Sequence, residues 1–480
     1  MSNQAGSSRG SLDKVLGIRD IVSLAFGTMV GWGWVMLAGV WVASAGVFGA
    51  ILAFIIGAIL CIFVGLTYAE LTPALPLAGG ELVFSYRGLG YKASWVTGWM
   101  ICLAYVGVAA WEGPAFVTAI DYIIPIPRAG FLWTIAGFDV YLTWVALGAI
   151  IGLILCVLNY RGVKDAAIFQ TMATLALVIG GLLFLFGGVV KGGVSNMVPS
   201  TTSLGGLVAV LLMVPAMFVG FDVIPQAAEE MNIPLRKIAK VLISSILMAA
   251  AWYILMIIGI SLLAPAEIRD TTSIPVADSF AYALNSPLAG KIILITGICG
   301  ILTSWNGFII GATRVIFAMS RAKMLPPIFS KVHPRFGTPS AAIILVGFIT
   351  CLSPLLGSKA LVWFVDASAL GTVIAYFMVS LSFIALRVKE PSLERPYMVK
   401  SGKVIGVIAV LVSLFFISLY MPFGPGGLGP VEWAMIAFWI VLGFILAILN
   451  RKNTRSVSIG EREYLMFGDD YSRKEFSNTK

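Results

Sequence analysis

The sequence predicts an all-α polytopic membrane protein of about twelve transmembrane helices. Three observations predict it. The 480 residues are 59% hydrophobic and only 11% charged, with a mean hydropathy of +0.97, and a soluble domain of that size cannot hide so much apolar surface. Between Asp20 and Glu70 there is no charged residue, enough chain for two helices of roughly 20 apolar residues each. The third is charge asymmetry. With both chain ends on one side, 27 of the 32 Lys and Arg residues fall on that side, leaving only Arg128, Lys191, Arg269, Lys291 and Lys359 on the other. The positive-inside rule then places both termini in the cytoplasm.

Apolar runs, bounded by charges and Pro/Gly breaks, place the spans at about 18–44, 47–71, 93–123, 139–159, 166–190, 206–230, 239–263, 289–319, 339–356, 360–386, 404–422 and 431–450. A turn near Ala45-Gly46 separates the first two. Span one carries Gly27-Thr28-Met29-Val30-Gly31-Trp32-Gly33-Trp34 near its middle. Clustered glycines weaken a helix there, and unpaired backbone at that depth must line a protected cavity. Span six is its counterpart. Pro215, Gly220, Asp222 and Pro225 fall within eleven residues, which no regular helix accommodates. Two interrupted segments, each opening a group of five spans, point to an inverted-repeat transporter with its site at the breaks. Residues 18–190 form the first repeat, 206–386 the second, and 404–450 two added helices.

Outside the spans, residues 1–17 read as a cytoplasmic N-terminus, and their polar start leads into a full-length span with no sign of a cleavable signal peptide. Asp278 to Leu284 suggests a small helix in the external loop between spans seven and eight. The tail, 451–480, is polar and mixed in charge and reads as a disordered or surface-lying cytoplasmic segment. The net charge of +9 comes from bases flanking the spans, so membrane topology explains it and nucleic acid is not an expected partner. Cys61, Cys102, Cys156, Cys299 and Cys351 lie inside apolar segments without C-x-x-C spacing. They read as small buried hydrophobes, and no disulfide frame, metal site or cofactor is expected. His333, the single histidine, lies in a basic loop before a proline.

Several motifs resemble the amino acid–polyamine–organocation (APC) superfamily of permeases. Gly31-x-Gly33 is similar to the family's span-one glycine signature. The run Gly220-Phe221-Asp222-Val223-Ile224-Pro225-Gln226-Ala227-Ala228-Glu229-Glu230-Met231-Asn232-Ile233-Pro234 resembles its span-six signature. Pro73 to Glu81 is similar to its loop after span two, and Arg314 to Pro326 to its span-eight exit. The resemblance covers spans one to ten. It implies a five-plus-five inverted repeat of the LeuT type, helices one and six unwound, and secondary transport of amino acids or related amines. It further implies that the substrate carboxylate meets free N–H groups of span one, and its ammonium free carbonyls of spans one and six, as half-helix dipoles favour.

On that reading the substrate-binding residues are Gly27, Met29, Val30, Gly31, Trp32, Gly33, Phe218, Gly220, Phe221, Asp222 and Trp305. Some exchangers of the family place a pocket-lining tryptophan where Trp305 stands. The chain departs from the pattern twice. Trp32 replaces the usual small residue between the glycines, which removes a hydroxyl and narrows a pocket if the ring points inward. Some proton-coupled relatives carry a lysine in mid-span five, whereas this chain has Leu175-Ala176-Leu177 thereabouts and no base between Lys164 and Lys191.

Buried charge in a membrane is costly and usually functional. Glu112, between Trp111 and Gly113-Pro114, reads either as a proton acceptor or ammonium partner, or as a carboxyl held by local backbone. Asp222 either pairs with a substrate amine or holds the unwound turn, as short Asp side chains do; the turn is the favoured role. Glu229 and Glu230 read as the cytoplasmic end of span six, paired with nearby bases such as Arg236 and Lys237, or as parts of an inner gate. Trp32 and Trp305 either hold an ammonium by cation–π attraction of about 2 kcal/mol or pack between helices. Gly27 and Gly31, four apart, also suit helix packing.

The expected function is a permease of the plasma membrane that moves an amino acid by alternating access, by proton symport or substrate exchange, its partners being the small-molecule substrate, the lipid bilayer and a co-transported proton. A carrier of an amine without carboxylate and a non-transporting nutrient receptor are the alternatives. An enzyme is not expected, because no intramembrane histidine exists to join a nucleophile, and no repeated filter loop suggests a channel.

Overall fold

The computed structural model of the chain describes residues 12–272 and 274–471. Residues 1–11 and 472–480, parts of the two expected cytoplasmic ends, lie outside them. The expected spans appear as helices in the expected order. Span one begins as Ile18–Met29 and resumes at the start of the 42-residue helix Gly33–Ala74, whose second part is span two. The two parts meet at Gly46, where φ is +73° and ψ 170°, a backbone state that glycine reaches without penalty. Val47 N–H donates to Pro199 O (3.1 Å) and Phe48 N–H to Ser200 O (2.9 Å), so the segment before span six seals this corner.

The other spans are Tyr91–Ile123, Leu142–Arg161, Val163–Lys191, Leu204–Met217 with its continuation Val223–Gln226, Leu235–Leu263, Pro287–Arg321, Ser340–Leu352, Gly357–Lys389, Gly402–Tyr420 and Pro430–Leu449. In its most apolar stretch span three is 89% buried and span twelve 11%. Span three is therefore central, and span twelve peripheral. Span twelve is fastened there by a reciprocal pair of bonds: Trp99 Nε1 donates to Trp439 O (2.9 Å) and Trp439 Nε1 to Trp99 O (3.0 Å), with the two rings stacked at 4.6 Å. Leu153, Leu175, Phe186, Leu411 and Phe444 are exposed on the outer spans, as a lipid-facing belt requires.

Loops gather at the two ends of the bundle. At one lie the hairpin Phe131–Ile135 with Phe138–Tyr141, and a short helix Pro275–Ala283 near the expected 278–284. At the other, the terminal face, the helix Ile459–Tyr471 meets a loop helix, Glu81–Leu89, that follows span two.

The tail departs from expectation. Instead of a disordered or merely surface-lying strand, Ile459–Tyr471 is helical and buries Leu465, Met466 and Phe467. The Phe467 ring lies 5.8 Å from that of Tyr86 and beneath the Arg87 guanidinium (5.4 Å), while Arg462 covers Tyr91 at 4.8 Å. Three consecutive apolar residues in a polar segment carry no helical period, so only the receiving surface reveals the docking. Phe467→Ala should cost about 3 kcal/mol or more and lower the melting temperature in detergent; an unchanged melting curve would contradict the docking.

Candidate functional site

The two breaks meet in the centre of the bundle. Span one is unwound between Val30, whose N–H still bonds Phe26 O at 2.8 Å, and Gly33, where the helix restarts. Span six is unwound from Phe218 to Asp222. Gly220 has φ +132°, and a Cβ there would stand 2.7 Å from Met29 N and 2.9 Å from Thr28 C. Only glycine fits both the backbone and the space. A Cβ on Gly33 would in turn stand 2.8 Å from Met217 Sδ. The Tyr253 hydroxyl of span seven spans the junction, within 2.7 Å of Met29 O and 3.2 Å of Met217 O. These carbonyls end the first half-helices of spans one and six, and helix ends leave such groups without internal partners.

Each acid has a distinct setting. Asp222 accepts from Gly220 N–H (2.6 Å) at Oδ1 and from the Tyr105 hydroxyl (2.9 Å) at Oδ2. Both oxygens are thus taken up in holding the turn. Glu112 stands beside the span-one break, its Oε1 3.7 Å from where a Gly31 Cβ would be. That oxygen bonds the Ser304 hydroxyl of span eight, whereas Oε2 is buried without a hydrogen-bond partner among the described residues. Unmatched buried polar atoms are rare. Glu112 is therefore the acid at the break with an oxygen to offer.

The remaining expected residues are all enclosed. Gly27 packs on spans five and eight and Gly31 on span eight, where a Cβ on Gly300 would stand 2.8 Å from Gly31 O and 3.3 Å from Val30 O, while Met29 meets Gly220 of span six and Tyr253 of span seven. The Trp32 ring lies on Gly297 of span eight, Cζ3 standing 3.0 Å from where its Cβ would be. Phe218 adjoins Tyr253 at 6.2 Å, and Phe221 sits between Tyr68 (5.4 Å) and Tyr376 (5.3 Å). Trp305 is wholly buried, but its ring packs toward spans three and four, at Gly113 and Gly152, while Thr303 and Ser304 face span one.

Glu229 and Glu230 are each held by an ion pair on the terminal face. Their partners are arginines of span eight rather than Arg236 and Lys237, which are exposed; Pro234 starts span seven and turns those two bases outward. Arg314 grips Glu230 through Nε and Nη2 (2.9 and 3.0 Å), and Arg321 grips Glu229 through Nη1 and Nη2 (both 2.9 Å). Glu229 also accepts from Leu12 N–H (3.3 Å) and Ala78 N–H (3.0 Å). Backbone bonds from Val15 and Leu16 to Glu230 O, each 2.9 Å, complete the joint. The segment before span one, the loop after span two, span six and span eight thus converge on two carboxylates.

Sequence reasoning missed three groups. Tyr253 is one, indistinguishable from packing residues in an apolar run. The second is a polar bracket in span five, the helix that has no base between Lys164 and Lys191. Gln170 Nε2 and Thr174 Oγ1 each lie 3.3 Å from Ser23 O, Asn306 donates to Gln170 Oε1 (2.8 Å), and Asn159 to Asn306 Oδ1 (2.7 Å). A neutral amide occupies the space beside Gly27. Gln170 and Asn306, polar residues inside apolar runs, were the available signal. The third is Glu81, buried against Gln226.

Comparison with known proteins identifies the family. A family model described as amino acid permease matches residues 16–445. The branched-chain amino acid permease BcaP of Bacillus subtilis is 29% identical over 461 residues, covering 94% of this chain and 96% of that protein. The methylthioribose transporter of the same organism is 27% identical, with 94% and 96% covered. Cationic amino acid transporter 4 of Mus musculus is 26% identical over 81% of this chain and 62% of that protein. The match across nearly the whole chain places this polytopic helical protein in the amino acid permease family of the APC superfamily.

Proposed function

We propose that this chain is a proton-coupled carrier that moves an amino acid across the cell membrane by alternating access, with both ends in the cytoplasm. Spans one to five and six to ten act as the inverted repeats, and the substrate occupies the junction of the two breaks. The observation that carries this reading is the meeting of Gly220 with the Met29 backbone beside the free Glu112 oxygen. The N–H groups that open the helix at Gly33 suit a carboxylate. The carbonyls of Met29 and Met217, released from Tyr253, suit an ammonium. Glu112 is the coupling acid, and an ionised carboxylate there costs so much in lipid surroundings that it favours taking up a proton or a substrate cation. The latch at Glu229 and Glu230 closes the cytoplasmic side and opens once per cycle.

A second reading, a substrate without a carboxylate, is favoured by the relative named a methylthioribose transporter and by Trp32 in the span-one signature. Uptake of labelled L-leucine, L-arginine and L-serine into proteoliposomes under an imposed pH gradient tests the proposal, with amines and methylthioribose as competitors. Inhibition by amines or methylthioribose alone would overturn the amino-acid reading. A gradient of one pH unit sustains about tenfold accumulation at one proton per substrate, and Glu112→Gln should remove it. Full proton-driven uptake by that variant would exclude Glu112 from coupling.

A further inference from the structure

We propose that Glu81 is the proton-release group of this carrier, holding the transported proton on the cytoplasmic side of the span-six break and losing it to water when the latch opens. This rests on the proton-coupled reading above, and it concerns a residue outside the substrate junction.

Glu81 is wholly buried at the first position of the loop helix Glu81–Leu89. Its Oε2 meets the amide nitrogen of Gln226, one helical turn beyond Asp222. Gly80 presses on the same turn, where a Cβ would stand 2.7 Å from that of Pro225. The Tyr68 and Tyr376 rings, 5.9 Å apart, flank Phe221, which adjoins Asp222 in the span-six break. Tyr105 closes this cage from span three through its bond to Asp222. Four polar atoms inside it have no hydrogen-bond partner among the described residues: Tyr68 Oη, Glu81 Oε1, Gln226 Oε1 and Tyr376 Oη. So many unmatched atoms in one place mark a path for a proton or water rather than finished packing.

The bases on the surrounding elements are committed elsewhere. Arg87 pairs with Glu390, Arg314 with Glu230, Arg321 with Glu229 and Arg387 with Glu70, while Lys389 donates to Gly88 O. Two carboxyls in one buried cage with no cation among the described residues cannot both ionise. Their hydrogen bonds divide the roles: Asp222 receives two donors, as an anion does, whereas Glu81 has one oxygen unmatched. Burial, and after it the charge of Asp222, hold the Glu81 carboxyl well above the usual carboxylate range.

In the proton step, an O–H bond of a protonated water that reaches the cage breaks as one forms on ionised Glu81, while Asp222 keeps its charge and its two donors. The Glu81 O–H bond then breaks and the proton passes to cytoplasmic water; the proton gradient supplies it from outside. The gate is already wired to this residue. Ala78, three positions before Glu81, donates to Glu229, which Arg321 holds. Opening that ion pair frees the loop and wets Glu81, and wetting lowers the cost of its ionised form.

The test uses the full-length protein in proteoliposomes loaded with a pH-sensitive dye. Its probe is labelled L-leucine, or L-arginine or L-serine where leucine gives no counterflow. Glu81→Gln mimics the protonated acid and should keep counterflow within about twofold, while accumulation under one pH unit falls from about tenfold to none. Substrate-dependent acidification of the lumen should vanish with it, and Glu81→Asp should restore both. If wild type accumulates substrate and Glu81→Gln does so equally, the release role falls and the proton-coupled reading stands. A wild type that ignores the pH gradient overturns both. Loss of counterflow in both variants would assign Glu81 to holding the loop and overturn the proposal.

Discussion

Gly220→Ala is expected to reduce transport about 100-fold, a loss of the size that a misplacement of order 1 Å at a site produces. The alanine methyl would have to stand 2.7 Å from Met29 N at φ +132°. Strain at such a backbone costs about 1–3 kcal/mol, and overpacking about as much again. Neither neighbour can yield cheaply, because both are backbone of span one. The spans would therefore separate at the substrate junction. Gly205→Ala is the control: it lies in the first turn of span six, where a Cβ would meet only Ser203 Oγ, 3.5 Å away. Uptake by that variant should be unaltered. Equal uptake by wild type and Gly220→Ala would mean that the breaks do not have to touch.

The second large effect belongs to the latch. Arg314 and Glu230 are 0% and 1% exposed and joined by two bonds. Arg314→Ala leaves a buried carboxylate without its cation, a loss of about 3–5 kcal/mol, which should appear as a much lower melting temperature in detergent. Replacing the two together, Arg314→Met with Glu230→Leu, removes both charges, and much of that stability should return. Transport should not return with it, since a permanent apolar seal no longer opens against water. A stable double variant that transports like wild type would show the ion pair to be a fastening without a part in the cycle.

The spans and breaks were legible in the sequence because they rest on local physics. Charge-free runs long enough to cross a bilayer, bases biased to one side, and Gly or Pro at depth each have a single economical explanation. The turn at Gly46 and the break from Phe218 to Asp222 fall where those signals put them. Asp222 accepts from the Gly220 N–H of its own turn, a bond that short Asp side chains at such breaks commonly make. What stayed hidden depends on which faces the helices present to one another. Nothing in the run around Tyr253 tells that its hydroxyl reaches across to Met29 and Met217. The missing span-five lysine says nothing of Gln170, whose uncharged amide ties span five to span one. Arg314 and Arg321, at the exit of span eight, reach the span-six acids from 84 and 92 residues further on, beyond any local rule. Trp305 shows the reverse: its depth was right, but its ring points to Gly113 and Gly152.

Counterflow is the most direct measurement of the central claim. Purified protein in liposomes preloaded with millimolar unlabelled L-leucine, or with L-arginine or L-serine in parallel, is diluted into the same labelled amino acid. The account predicts saturable, transient accumulation of label that excess external amino acid abolishes and that Gly220→Ala lacks. Linear, unsaturable entry, or entry independent of the internal amino acid in all three cases, would contradict it.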